Sequence, residues 1–143
     1  GVRLVGSEMC IRDSNKVDAS FTISDKLWKG HINRKKRNKD NGKGFGYKLT
    51  YPSDKCTNTI SSRYYKDGGE CLIYQGLNKN PRKLTPKECF RLQGFPERFK
   101  ISTSKVEAYK QAGNSVPVKV IEKVCINIFD YFLSRENKLK KIS

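Results

Sequence analysis

Residues 82–99 read RKLTPKECFRLQGFPERF, and their local grammar anchors the rest of the chain. Thr85 supplies an N-cap oxygen, Pro86 suits the first helical position, and Glu88 stands where its carboxylate can close a capping box. Cys89, Phe90 and Leu92 give this helix its apolar contacts, Gly94 a left-handed stop, and Phe95-Pro96 turns the chain away. Working outward to the C-terminus, a second short helix is expected over roughly 104–112, ending at Gly113. Asn114-Ser115-Val116-Pro117 then leads into a longer helix, in which Val118, Ile121, Val124, Cys125, Ile128 and Phe132 recur at helical spacing. The Lys-rich tail, 135–143, is expected to fray.

Outward in the other direction lies a β region. GFGYKL (44–49), TNTISSRYY (57–65) and ECLIYQ (70–75) carry the aromatic and β-branched residues of strands. Lys66-Asp67-Gly68-Gly69 is a turn sequence, so the last two stretches are expected to form a hairpin with Arg63, Tyr64, Tyr65 and Lys66 near its tip. A β-ribbon tipped in this way can enter a DNA major groove, where an arginine bridges guanine O6 and N7. On charge and shape alone, tyrosines beside a turn are more often partial core. Before the strands, Ser24 can cap a helix in which Leu27, Trp28, His31 and Ile32 share a face, with Asn41-Gly42 ending it. Between residues 26 and 48 nine Lys or Arg face one acid. Lys35, Lys36 and Arg37 at the far end of the helix either complement its dipole as a solvated turn or contact phosphate; the self-repulsion of so many cations favours phosphate.

The whole chain has 143 residues, 30 Lys plus Arg against 14 Asp plus Glu, and a formal charge of +16. A polyanionic partner is therefore expected. No apolar run approaches the ~20 residues of a membrane span, which points to a soluble, cytoplasmic protein without membrane partners. Five cysteines, at 10, 56, 71, 89 and 125, form no C-x-x-C and have no histidine nearby, so no metal site is expected and each reads as a small packing residue. Residues 1–14 (GVRLVGSEMCIRDS) show no clear period; LVGSEMCIRDS resembles translated sequencing-adaptor read-through, so the segment is read as non-native and set aside. On that reading the natural protein begins upstream.

Two stretches exceed what periodicity can say. RKLTPKECFRLQGFPERF (82–99) resembles motif IX of the DNA cytosine-5 methyltransferases, and AYKQAGNSVPVKV (108–120) resembles their motif X, in the family's order and spacing. WKGHINRKKRNK (28–39), NGKGFGY and TNTISSRYYKDGGECLI are similar to the variable target-recognition region that precedes motif IX in bacterial members, so the resemblance covers roughly residues 20–133. It implies transfer of a methyl group from S-adenosylmethionine to carbon 5 of a cytosine flipped out of double-stranded DNA, in a restriction-modification setting. In the family a thiolate in a Pro-Cys motif attacks C6, and a Glu-Asn-Val motif supplies the acid. Both lie upstream of the region seen here; no cysteine in this chain follows a proline, and Cys89 falls at a position the family uses for packing. No catalytic residue is therefore expected in this chain.

By the same resemblance Gly113, Asn114 and Ser115 form the turn that closes over S-adenosylmethionine: Gly113 through an unusual backbone angle, Asn114 through its carboxamide, Ser115 through its hydroxyl. Thr59 would touch phosphate near the flipped base, while Ser62, Arg63, Tyr64, Lys66 and Gly68 would face base edges. Arg82 and other motif IX cations would steady the recognition region or reach phosphate. The expected architecture is α+β: a small sheet of antiparallel hairpins forming the target-recognition region (15–81), then three helices. The motif IX and X region (82–134) would complete a Rossmann-like methyltransferase domain that is mostly absent, and its partner would be the N-terminal catalytic region. A natural split subunit, or a non-catalytic basic DNA-binding module, is the alternative; the second leaves the Gly113-Asn114-Ser115 turn and motif IX unexplained.

Overall fold

The computed structural model describes residues 3–5, 17–51, 53–54, 56–101 and 103–139, of which 3–5 and 136–139 as backbone only. In chain order the elements are β1 (Arg3–Val5), α1 (Asp25–Asp40), β2 (Leu49–Thr50), β3 (Cys56–Asn58), α2 (Tyr64–Asp67), β4 (Leu72–Ile73), β5 (Arg82–Lys83), α3 (Pro86–Leu92), α4 (Lys105–Asn114) and α5 (Val118–Leu139). The fold is α+β, as expected, with three helices after the last strand.

The helices begin where their capping chemistry places them. Ser24 Oγ accepts from Leu27 N at 3.3 Å to start α1, and Ser104 Oγ from Glu107 N at 3.3 Å to start α4. For α3 the capping box is complete: Thr85 Oγ1 accepts from Glu88 N at 3.1 Å, and Glu88 Oε2 accepts from Thr85 N at 2.8 Å. Such a cap stabilises a helix by about 1 kcal/mol. Gly94 follows at φ 85°, the left-handed stop its position called for. Helix α5 continues past Ser134 to Leu139, and the rest of the Lys-rich tail, 140–143, lies outside the described residues.

The strands depart from the expected hairpin. Strand β4 pairs in parallel with β2 (Leu49 opposite Leu72, Thr50 opposite Ile73) and antiparallel with β5 (Leu72 opposite Lys83, Ile73 opposite Arg82). Strand β3 pairs instead with β1, Thr57 lying opposite Leu4. The sheet is thus mixed, and Tyr64–Asp67 is a helical turn, taking in Tyr64 and Tyr65 where the end of a strand was expected. Local hydrogen bonds explain the turn. Ser61 Oγ accepts from Arg63 N at 3.2 Å and Ser61 O from Tyr64 N at 3.0 Å, which curls the chain, and Gly68 ends the curl at φ 66°. The curl swings Tyr64 inward, where burying its ring contributes roughly 2–3 kcal/mol.

One apolar cluster runs through the molecule: Ile60, Tyr64, Cys71, Ile73, Leu84, Cys89, Phe90, Leu92, Ala108, Tyr109 and Ala112. It draws on residues from both sides of position 81, and β4 and β5 pair across it, so the expected division between recognition region and motif IX passes through a shared sheet and core. Tyr64 is the pivot, wholly buried, its hydroxyl donating to Cys71 O at 2.5 Å and accepting from Leu84 N at 2.8 Å. Helix α5 is different. Val120, Ile121, Val124, Ile128, Phe129 and Phe132 are all 46–68% exposed along it.

Candidate nucleic-acid interface and cofactor turn

The turn from Ser61 to Glu70 is held on three sides. Tyr64 roots it in the core. From α1, Arg34 Nη1 donates to Asp67 Oδ2 at 2.8 Å, Arg34 Nη2 donates to His31 Nδ1 at 2.8 Å, and His31 Nε2 donates to Asp67 O at 3.1 Å. An accepting Nδ1 fixes the neutral tautomer, and burial lowers the histidine's proton affinity further, outweighing the bond to Asp67 that would raise it. Burial also raises the Asp67 carboxyl, but the hydrogen bonds from Arg34 and Gly69 N together overcome this and hold it below the ordinary carboxylate range. From α4, Gly113 presses on the turn: a Cβ there would stand 2.2 Å from Ser61 C and 2.4 Å from Ser62 N.

Between α1 and this turn opens a cleft of about 310 Å³, lined among others by Arg34, Phe45, Ser61, Arg63, Lys66 and Glu70. Arg63 and Lys66 are exposed, Ser62 is half-buried and Thr59 is exposed, so these four expected DNA contacts lie on or beside one accessible turn. Lys35, Lys36 and Arg37 are exposed on α1; Lys35 Nζ lies 4.4 Å from the centre of the Tyr47 ring.

Three of the expected DNA contacts are corrected, the first being Gly68, which is buried against the Lys83 side chain and faces no base edge. Tyr64 is 0% exposed with its hydroxyl satisfied on both sides, so it reads no base. Arg82 is 7% exposed and forks onto Glu88, Nη1 to Oε2 at 2.7 Å and Nη2 to Oε1 at 2.8 Å, so it reaches no phosphate. Both residues are drawn inward by partners that strand periodicity does not reveal. Three residues that the sequence reading passed over belong to the site. Arg34 is the one cation of its run turned inward, and Asp67 and Glu70 are the cleft's acids; their partners lie too far along the chain for spacing to signal.

The turn at the end of α4 is corrected in part. Gly113 has an ordinary helical conformation, and what demands glycine is the Ser61–Ser62 peptide filling the space beside it. Ser115 Oγ donates to Ala112 O at 2.7 Å. Asn114 is exposed, and among the described residues its carboxamide meets no partner. Beneath the turn Gln93 Nε2 donates to Ala112 O at 2.8 Å, tying motif IX to motif X, while its Oε1 is buried without a partner. Asn114 thus keeps a carboxamide to offer and Ser115, its proton held by Ala112 O, a hydroxyl oxygen that can accept, groups that fit one edge of a zwitterionic methionine end.

Cys89 is wholly buried, and burial pushes its thiol well above the ordinary range, the reverse of what a nucleophile needs. Cys71 is likewise buried and raised. Among the described residues no group of His, Cys, Asp and Glu could hold a metal ion, and no helix is long and apolar enough to cross a membrane.

Known proteins place this architecture. The family model for C-5 cytosine-specific DNA methylases matches residues 7–130. The Type II methyltransferase M.DsaV of Dactylococcopsis salina is 49% identical over 129 residues, covering 89% of this chain and 36% of that protein. The Type II methyltransferase M1.ScrFI of Lactococcus lactis subsp. cremoris is 60% identical over 108 residues, 76% of this chain and 28% of its own length. The chain thus spans about a third of the relatives it matches. The crystal structure of the S. pombe Dnmt2 methyltransferase superposes with a TM-score of 0.68 at 16% identity, over 85% of this chain and 41% of the other, which establishes a common fold. With the family model spanning both motifs and the Ser61–Glu70 turn that precedes them, the chain belongs to the C-5 cytosine-specific DNA methylase family.

Proposed function

We propose that this chain is the C-terminal portion of a DNA cytosine-5 methyltransferase: the part that grips and reads double-stranded DNA and closes one side of the cofactor site. The observation that carries the reading is Gly113, whose contact with the Ser61–Ser62 peptide fastens the Asn114–Ser115 turn directly to the DNA-facing turn. A protein that only bound DNA would not need that contact. Asn114 and Ser115 would hold S-adenosylmethionine, which when bound supplies the methyl group. Thr59 and the α1 cations Lys35, Lys36 and Arg37 would position the duplex through its phosphates, and Arg63 would read a base edge.

The nucleophile and its acid belong to an N-terminal catalytic region, and α5 supports this. Its half-exposed Ile121, Val124, Ile128 and Phe132 form an apolar surface of the kind that is covered in the working protein, and the catalytic region is its natural cover. DNA as substrate places the working enzyme in the cytoplasm.

The test is complementation. The chain is mixed with an N-terminal methyltransferase fragment carrying the Pro-Cys and Glu-Asn-Val motifs, and transfer of labelled methyl to duplex DNA is followed. Neither part alone should transfer, because the thiolate that makes carbon 5 nucleophilic is in one and the DNA grip in the other. The mixture should. Transfer by this chain alone, or a mixture that stays silent while the fragment is rescued by its own C-terminal half, would overturn the proposal.

A further inference from the structure

The cleft between α1 and the Ser61–Glu70 turn contains two acids, which is unexpected on a face that must lie against phosphate. One of them, Asp67, is explained: Arg34 neutralises it at 2.8 Å and Gly69 N donates to its other oxygen at 3.2 Å. Glu70 is not. Among the described residues no cation pairs with it, although Arg63 and Lys66 line the same cleft. Its Oε1 instead accepts from Ser61 Oγ at 2.6 Å, and that hydroxyl accepts from Arg63 N at 3.2 Å, so the carboxylate is oriented through a hydroxyl fixed to the backbone. An oriented anion on a DNA-binding face weakens attraction to every phosphate nearby. It can be favourable only toward a donor that the backbone of DNA lacks.

Resting on the reading that this turn faces DNA, we propose that Glu70 is a specificity-determining residue that accepts a hydrogen bond from an exocyclic amino group in the major groove, cytosine N4 or adenine N6. Ser61 positions it. In the major groove only these amino groups donate, whereas guanine O6 and thymine O4 would meet the carboxylate oxygen with oxygen. Arg63, exposed on the same cleft, offers the opposite chemistry, so the two side chains together match a pattern of donor beside acceptors such as a G·C pair presents.

The experiment selects duplexes from a randomised pool with the 143-residue chain, then measures binding of the enriched site and all its single-base-pair variants by fluorescence anisotropy at fixed salt. Wild type, Glu70→Gln, Ser61→Ala and Arg63→Ala are compared. Wild type should prefer C or A at one position, and which of the two identifies the amino group. Glu70→Gln, which can donate as well as accept, should relax that preference roughly tenfold while leaving the other positions ranked as before. Ser61→Ala should weaken the same preference less, and Arg63→Ala should act at a different base. If Glu70→Gln instead tightens binding to every sequence alike, Glu70 is only a repulsive charge and the proposal fails although the DNA reading stands. A wild-type chain with no preference at any position overturns both.

Discussion

Replacing Glu88 by alanine strips a buried guanidinium of its counter-charge, and the geometry sets the size of the effect. Glu88 is wholly buried; its two oxygens accept from Arg82 at 2.7 and 2.8 Å, and one of them also accepts from Thr85 N at 2.8 Å. Arg82, 7% exposed, cannot lose its proton, so truncation leaves a cation whose remaining bond is to Lys83 O at 3.0 Å. Breaking a buried pair from one side costs about 3–5 kcal/mol, and losing the capping-box contact adds about 1 kcal/mol. That is a large part of the ~5–15 kcal/mol that holds a domain folded. Urea unfolding followed by far-ultraviolet circular dichroism should rank the variants. Glu88→Ala should be the least stable and Glu88→Gln intermediate, because the amide keeps an acceptor. The Arg82→Met/Glu88→Leu double variant should lie near wild type, since apolar groups of similar volume avoid the desolvation penalty altogether. The reasoning is refuted if Glu88→Ala unfolds within about 1 kcal/mol of wild type, or if the double variant is as unstable as the single.

Gly113→Ala, whose Cβ would meet the Ser61 peptide carbon at 2.2 Å, should lower stability by about 1–3 kcal/mol in the same assay. Gly30→Ala, on an open face of α1 with nothing within 4 Å, should raise it by up to about 1 kcal/mol. Joint replacement of Lys35, Lys36 and Arg37 by alanine should weaken DNA binding on all sequences alike, and flatten the slope of log affinity against log salt by about two to three units. Stability should also fall in acid in two stages. His31 has its proton affinity lowered by folding, so its contribution is complete above the unfolded value near 6.5 and is lost as the pH falls through that value toward the lower folded one. Asp67, also lowered, keeps its contribution until the pH passes below about 4, the unfolded carboxyl value. Thermal midpoints measured against pH should show the first stage in wild type and lack it in His31→Gln.

What the sequence made legible is what neighbours in the chain decide. Thr85, Pro86, Glu88 and Gly94 specify α3 from cap to stop with contacts no more than a few residues apart, and Ser24 and Ser104 do the same for the starts of α1 and α4. The hairpin failed for the opposite reason. Residues 57–65 have strand composition, but which strand they meet is settled by pairing at long range, and Ser61 offers the backbone a closer alternative. Tyr64 and Tyr65 are equivalent as letters; only the turn decides that the first is buried and the second half-exposed. Arg63 and Arg82 present the same ambiguity, resolved because a buried carboxylate waits for one and open cleft for the other.

The same long-range contacts bear on the proposed function, in which one chain segment would serve two sites. A base reader is useful only if its position is fixed relative to the atom being modified, since even a small misplacement of reacting groups is costly in rate. In this fold the Ser61–Glu70 turn does not float on a flexible linker. Tyr64 shares the core with Tyr109 of α4, their ring centres 5.5 Å apart, and both hydroxyls bond to the backbone of Leu84 at the threshold of α3. Gly113 then closes the circuit by bringing the end of α4 against Ser61 and Ser62. The Ser61–Ser62 peptide thus lies directly against the end of α4 that carries Asn114 and Ser115. On the proposed function, base reading by Arg63 and cofactor contact by Asn114 would then depend on the same few contacts, those of Gly113 with Ser61 and Ser62 and of Tyr64 and Tyr109 with Leu84.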